Sequence, residues 1–251
     1  MDGVHLPGQA GGVERVGRTV RRPVGPWTPA VHEFLRYLAA EGLRGVPEVH
    51  GVEGDREVLT YVAGRSVPVE KEIVLDDVLV EAVAWLRDFH DIAEGYRPEG
   101  SRTWRSGEAE LDDGAIICHN DPGTYNWIIE GGHFVAMVDW DMAGPGRPID
   151  DLAFLAWTAI PFNRPEVLDE MGDDEVLRRL DLLVDTYAEW GPLTVLQAVA
   201  ERMELACARI AAGQERGDVA MINLGKVGEP ERTRERLEAF NDRRERWESL
   251  L

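Results

Sequence analysis

Lysine is almost missing from this 251-residue chain: only Lys71 and Lys226 occur, and every other of its 27 basic side chains is arginine. Cysteine is nearly as scarce. Cys118 and Cys207 are too few for a disulfide framework, which points to a reducing compartment. No apolar run approaches the length of a membrane span. The opening MDGVHLPGQAGG has neither the basic nor the apolar segment of a secretory signal. These absences predict a cytoplasmic protein with no membrane partner. The histidines show no HxxxH or HxH spacing, which argues against a metal-dependent hydrolase.

Positive charge is also in deficit. Asp plus Glu number 47, giving a formal net charge of −20, the wrong sign for a protein that tracks nucleic-acid phosphates. The excess is uneven: residues 1–60 carry 7 basic and 8 acidic side chains, residues 61–251 carry 20 and 39. A field of that sign in the later part is compatible with a cationic small-molecule partner and equally with a generically acidic surface. What the chain does have is 44% apolar and 29% charged residues, the mix of a packed domain.

Residues 13–23, VERVGRTVRRP, predict two short strands around a turn at Gly17-Arg18. Thr28 and Pro29 predict a helix start, and VHEFLRYLAAEG a helix ending at Gly42. EVHGVE and EVLTYVAG read as a second strand pair. Residues 1–63 thus form a small unit of short strands around one helix. From Ile73 a long helix is predicted, then a polar stretch at 99–114. AIIC, WII and FVAMV follow as short strands, with a Glu130-Gly131-Gly132 turn between the last two. From Asp150 the pattern is helical, and the final charged helix reads as a solvated face.

The chemistry concentrates in residues 116–151. His119-Asn120-Asp121 follows an apolar strand, Asn126 comes five residues after Asp121, and Asp139 follows a hairpin and a second apolar strand. A lone Asp-x-x-x-x-Asn is ordinarily a turn feature. Turn chemistry does not require this whole order, whereas phosphoryl transfer does use such a set: a carboxylate to orient and deprotonate a hydroxyl, and hard oxygen ligands for Mg²⁺. Asp121 suits the first task; Asn126 and Asp139 suit the second.

ICHNDPGTYNWII followed by VDWDMAGPGRPIDDLA resembles the paired signature of the aminoglycoside phosphotransferase family, which is related to choline and homoserine kinases. The resemblance implies an α+β, two-lobed protein-kinase-like fold. A small N-terminal antiparallel sheet with one helix (residues 1–63) would form the nucleotide-binding lobe. A larger, mostly helical lobe (64–251) would carry catalysis and the acceptor. It implies transfer of the γ-phosphate of ATP or GTP to a hydroxyl of an amine- or sugar-like acceptor, an aminoglycoside among the candidates. Asp121 would be the catalytic base with Asn126 beside it, Asn126 and Asp139 the Mg²⁺ ligands, and Asp151 a structural acid bracing the loop. The backbone near Thr60–Val62 would face the nucleotide base.

Two features of the first lobe depart from the family pattern; a third departure, Asn120 where Gly or Arg is commoner, removes no group the chemistry needs. The first lobe is short, so its first strand and nucleotide loop are expected to be minimal, with LPGQAGG standing in for a Gly-rich loop or simply forming a free terminus. The strand lysine that holds the phosphates in kinase-like folds is absent, since no lysine precedes Lys71. The strand TVRRP offers Arg21 and Arg22 instead, and period-two alternation selects Arg22 as the inward one. Glu33 is the only acid in the first two turns of the following helix and is the expected partner of Arg22. If it faces away, the arginine is left to reach phosphate directly. The competing reading is a degenerate kinase that binds nucleotide, or a partner, without transfer.

Overall fold

The computed structural model describes residues 4–5, 12–112 and 114–251. The clustered Gly8 and Gly11 of the candidate Gly-rich loop lie outside the described residues.

Short β-rich segments with glycine turns build a five-stranded antiparallel sheet from β1 (Val4–His5), β2 (Glu14–Val16), β3 (Thr19–Pro23), β4 (Val49–Glu53) and β5 (Arg56–Thr60), in the order β1-β2-β3-β5-β4. The first two strands are present but only two and three residues long. Helix α1 (Thr28–Ala40) connects β3 to β4 and buries Ala30, Val31, Phe34, Leu35 and Leu38, which recur at helical spacing. Its N-cap is Trp27, one residue before the expected Thr28. The Thr28 hydroxyl instead accepts a hydrogen bond from the Gly25 amide at 2.9 Å.

The chain leaves the sheet through an extended stretch that contains the expected lobe boundary and is tied down at Arg65, which exchanges two backbone hydrogen bonds with Ile129 at 2.9 and 3.0 Å. Gly64, at φ +133°, makes this approach possible: a Cβ there would lie 2.5 Å from Ile128 Cγ2 and 2.7 Å from the Ile129 carbonyl. Helix α2 (Asp76–Ala93) follows. The polar stretch then contains a hairpin that hydropathy does not reveal, β6 (Arg102–Trp104) with β7 (Gly107–Ala109).

Strand β8 (Ile116–Cys118) pairs with β11 (Gly144–Gly146), and β9 (Trp127–Glu130) with β10 (His133–Met137). Gly131 and Gly132 both have positive φ, as a two-residue hairpin turn demands. Six helices complete the chain: α3 (Pro148–Ala159), α4 (Pro165–Met171), α5 (Asp173–Tyr187), α6 (Pro192–Glu215), α7 (Val219–Lys226) and α8 (Glu231–Glu248). The architecture is therefore α+β, a small antiparallel sheet with one helix followed by a larger, mostly helical part. Helix α8 is not wholly a solvated face: Phe240 and Trp247 are buried beside Phe162. Among the described residues no helix is long and apolar enough to cross a membrane.

One buried cluster runs from Ala30 in α1 to Trp247 in α8. Trp140, only 1% exposed, sits where its parts meet. Its ring lies 6.1 Å from Phe34 of α1, 5.2 Å from Phe89 of α2 and 4.6 Å from His119, and its Nε1–H donates to the Met137 carbonyl at 3.1 Å. The side chain is packed, as burial of a tryptophan in this position favours. Replacing it should leave a cavity touching both parts of the molecule. Trp140→Ala is expected to cost about 3–5 kcal/mol, measured from the urea-unfolding midpoint at unchanged slope. A loss below about 1 kcal/mol would contradict this packing role.

Candidate active site

The buried strand β8 delivers the chain into a tight loop at His119-Asn120-Asp121. Asn120 is left-handed, at φ 62°. That turn directs two backbone amides at the fully buried carboxylate of Asp151, in the first turn of α3. The His119 amide donates to Oδ2 at 2.7 Å and the Asn120 amide to Oδ1 at 2.8 Å. His90 Nε2 lies 3.2 Å from Oδ2, and His90 Nδ1 is 2.7 Å from the Tyr187 hydroxyl. Burial works against the Asp151 charge, yet the His90 hydrogen bond and the nearby histidines hold its pKa below the ordinary carboxylate range.

His119 supports the loop from the other side. Its Nδ1 accepts the Asp121 amide at 3.3 Å, so its Nε2–H donates to the Val138 carbonyl at 3.2 Å. Burial lowers its pKa, which fits a neutral ring with this fixed tautomer.

Asp121 itself is half-buried, and two side chains donate to it. The Tyr125 hydroxyl bonds Oδ1, and Asn126 Nδ2 donates to Oδ2 at 3.1 Å and to the Asp121 carbonyl at 2.9 Å. Asn126 is held in a single 3₁₀ turn, Thr124–Asn126. Burial, with a smaller push from Asp139, raises the Asp121 pKa to about 7, against the opposing pull of Tyr125, Arg202 and Asn126.

Asp139 follows β10 in a left-handed conformation, φ 63° and ψ 64°, with its carboxylate about half exposed. It is bound from the small sheet by Arg22. The arginine fork engages three carboxylates: Nε donates to Glu57 Oε1 at 2.6 Å, Nη1 to Asp139 Oδ1 at 2.8 Å, and Nη2 lies 2.7 Å from Asp141 Oδ1. Burial disfavours this charge, but Asp141, Asp139 and Glu57 together raise its pKa above the ordinary value. Asp141 has its pKa raised by burial despite Arg22. Arg21 points to the other face and pairs with the exposed Glu53 at 2.9 Å. Strand alternation therefore identifies the arginine that faces inward.

The expected partner is a correction. Glu33 does not meet Arg22; its carboxylate takes Arg102, from β6, at 2.9 and 3.1 Å. Nor is Arg22 left unpaired. Glu57 lies directly opposite it in the β3–β5 register and is 2% exposed, with His32 of α1 on its other oxygen at 2.7 Å. Sequence reasoning missed Glu57, His32 and Tyr125; Asp141 matches the VDWD motif but carries no role there, and its pairing with Arg22 comes only from the structure. The one available signal was a charged residue at the head of the apolar run EVLT, which only strand pairing sets against Arg22. Thr60 ends β5, its amide donating to the Glu48 carbonyl at 2.9 Å while the Tyr61 amide donates to Arg18 at 2.8 Å; Val62 is the next residue along.

The donor set near Asp121 suits a hard cation. Both hydrogen bonds of the Asn126 side chain use its NH₂ group, which turns Oδ1 away as a free carbonyl ligand, and Asp139 adds a partly exposed carboxylate. His90, Cys118 and Asp151 also cluster within metal-ligand reach, but the Asp151 oxygens there are already engaged by two amides and His90.

Known proteins resemble this chain at two levels, in sequence and in fold. The sequence pattern of the phosphotransferase enzyme family matches residues 102–193. The trifolitoxin immunity protein of Rhizobium leguminosarum bv. trifolii is 31% identical over 186 residues, covering 70% of this chain and 69% of that protein. Two solved structures share the fold. Amicoumacin kinase hAmiN, in complex with AMP-PNP, Ca²⁺ and Ami, superposes with a TM-score of 0.61 at 12% identity, over 93% of this chain and 85% of its own. A choline/ethanolamine kinase family protein from Mesorhizobium loti superposes with a TM-score of 0.57 at 18% identity, over 96% and 92%. The kinase-like fold is thereby established, and the chain belongs to the phosphotransferase enzyme family, as an enzyme with an alcohol group as acceptor.

Proposed function

We propose that this protein moves the γ-phosphate of ATP or GTP to a hydroxyl of a small-molecule acceptor, with Asp121 as the base. The observation that carries this reading is the half-buried Asp121 carboxylate, fixed by Tyr125 and Asn126 and poised to take a proton near neutral pH. A base with that affinity suits an alcohol whose proton leaves as the phosphoryl group arrives. Asn126 Oδ1 and Asp139 would hold Mg²⁺, which when bound neutralises charge on the phosphates. Arg22 is the strand cation in reach of Asp139 and takes the phosphate-holding task, with Glu57 in place of Glu33 as its anchor. The Thr60–Val62 backbone is assigned to the nucleotide base. The amicoumacin kinase complex, with its nucleotide analogue and divalent cation, supports a nucleotide–metal donor. The immunity role named for the Rhizobium relative supports an acceptor that is a toxin.

Asp121→Ala should abolish single-turnover transfer and leave nucleotide affinity near wild type, because the carboxylate orients the acceptor and not the triphosphate. In the wild type, the raised pKa means the base is protonated in acid. kcat/KM should therefore climb about tenfold per pH unit below the Asp121 pKa and level off above about pH 7. A flat profile from pH 5 to 8, or near-normal transfer by the alanine variant, would remove Asp121 from this role.

Arg22→Ala should weaken triphosphate binding far more than nucleoside binding, by the value of lost charge-assisted bonds, about 1.5–3 kcal/mol each. Arg21→Ala, on the opposite face, should bind as wild type does. Equal triphosphate affinities for both variants in calorimetric titration would mean that no strand cation serves the phosphates, and would favour a degenerate kinase.

A further inference from the structure

Helix α6 carries Arg202 and Arg209, and Arg216 caps it. The seven-residue spacing puts the three guanidinium groups along one side, drifting only about 20° per step. In a chain of net charge −20, none of the three forms an ion pair with a carboxylate among the described residues. Arg202 is 3% exposed. Its Nη2 donates to the Asn120 carbonyl at 2.7 Å and its plane lies 4.4 Å from the Phe154 ring, but Nε and Nη1 are buried without a hydrogen-bond partner. Arg209 reaches only the neutral Asn120 Oδ1, at 3.3 and 3.4 Å. Burial, then the charge of Arg209, lowers the Arg202 pKa to about 10, so both remain cations at neutral pH and repel each other.

Arg209 and Arg216 line a cavity of about 330 Å³ together with Arg105, Asp218, Met142 and Met221. Arg105 is already neutralised, by Asp218 at 3.0 Å and Asp141 at 3.3 Å. The two remaining arginines give the cavity a positive lining with no direct ion pair among the described residues, one residue from Asp121 through Asn120; Asp150 and Asp151 act on Arg209 only from beyond ion-pair distance. The two methionines supply apolar, adaptable wall.

We propose that this cavity is the acceptor subsite and that the acceptor is anchored there by an oxyanion, a carboxylate or phosphate, held by Arg209 and Arg216. The proposal rests on the phosphotransferase reading and narrows its acceptor class. A polycationic acceptor would meet two unpaired guanidinium groups beside the catalytic loop. An anion would supply the carboxylate-like partner that both arginines lack, and guanidinium is the side-chain group best matched to an oxyanion fork. The overall acidity of the chain does not oppose this, since exposed charges beyond about 8–10 Å are largely screened at physiological salt.

The test uses the full chain saturated with AMP-PNP and Mg²⁺, titrated calorimetrically with glucuronate, inorganic phosphate and glucosamine. The two anions should bind more tightly than glucosamine. The double variant Arg209→Gln/Arg216→Gln should lose about tenfold or more of the anion affinity, the scale of one charge-assisted bond, with AMP-PNP affinity unchanged. The exposed Arg234→Gln, which removes one charge as Arg216→Gln does, serves as the control for lost surface charge and should behave as wild type. Arg216→Gln alone, at an exposed site, gives the same direction of change if the double variant is unstable. Preference for glucosamine, or anion binding indifferent to both arginine variants, overturns the proposal. So does an equal loss of AMP-PNP affinity, which would assign these arginines to the nucleotide. Failure of the wild type to bind AMP-PNP with Mg²⁺ would instead overturn the phosphotransferase reading.

Discussion

Between Cys118 and Asp121 the backbone turns through a left-handed Asn120, and the amides of His119 and Asn120 both end on the buried Asp151 carboxylate. Neither amide has water to turn to, so an apolar residue at position 151 would leave two buried donors unsatisfied, each costing about 1–3 kcal/mol. The same carboxylate receives His90 from α2 and begins α3. Three elements are thereby referred to one charge. The position of Asp121 follows from that arrangement, because its own amide is fixed by His119 and its side chain by Tyr125 and Asn126. The base is held by a chain of hydrogen bonds whose origin is a residue that takes no part in the chemistry.

The second constraint joins the small sheet to this loop. A lysine would bring one point charge; the fork of Arg22 brings three nitrogens in fixed directions, each to a different carboxylate. Glu57 anchors the arginine inside its own sheet, while Asp139 and Asp141 belong to the segment after β10. The residue type thus changes the geometry of anchoring from a helix glutamate to a cross-strand one. Three acids on one arginine leave excess negative charge, which a bound divalent cation would offset.

Much of this was legible in the sequence, for identifiable reasons. Alternation along TVRRP decides between Arg21 and Arg22 because a strand has only two faces. The order strand, His-x-Asp, Asn, hairpin, strand, Asp survives as read because each step is short and local. What failed depends on pairing between distant segments. Glu33 was chosen by its place on a helix, yet its outward register gives it to Arg102 on a hairpin that the polar sequence concealed. Glu57 becomes the partner only once β3 and β5 are aligned. Phe240 and Trp247 lie among so many charges that α8 reads as solvated, although both are buried.

The arginines of α6 were illegible for a different reason. Seven-residue spacing along a long helix is apparent in the sequence, but 25 arginines offer many such coincidences, and only burial and partner geometry single out three. Their placement also bears on the base. Asp121 is pushed towards neutrality of its carboxyl by burial and by Asp139, and Arg202 pulls the other way. The Tyr125 hydrogen bond first, and the buried cation behind the loop after it, therefore keep the Asp121 pKa close to neutral instead of higher, where the group would be protonated and useless as a base. Arg202 meets this electrostatic need through its charge while its Nη2 holds the Asn120 carbonyl. Its two unpartnered nitrogens are the cost of putting that charge where water does not reach.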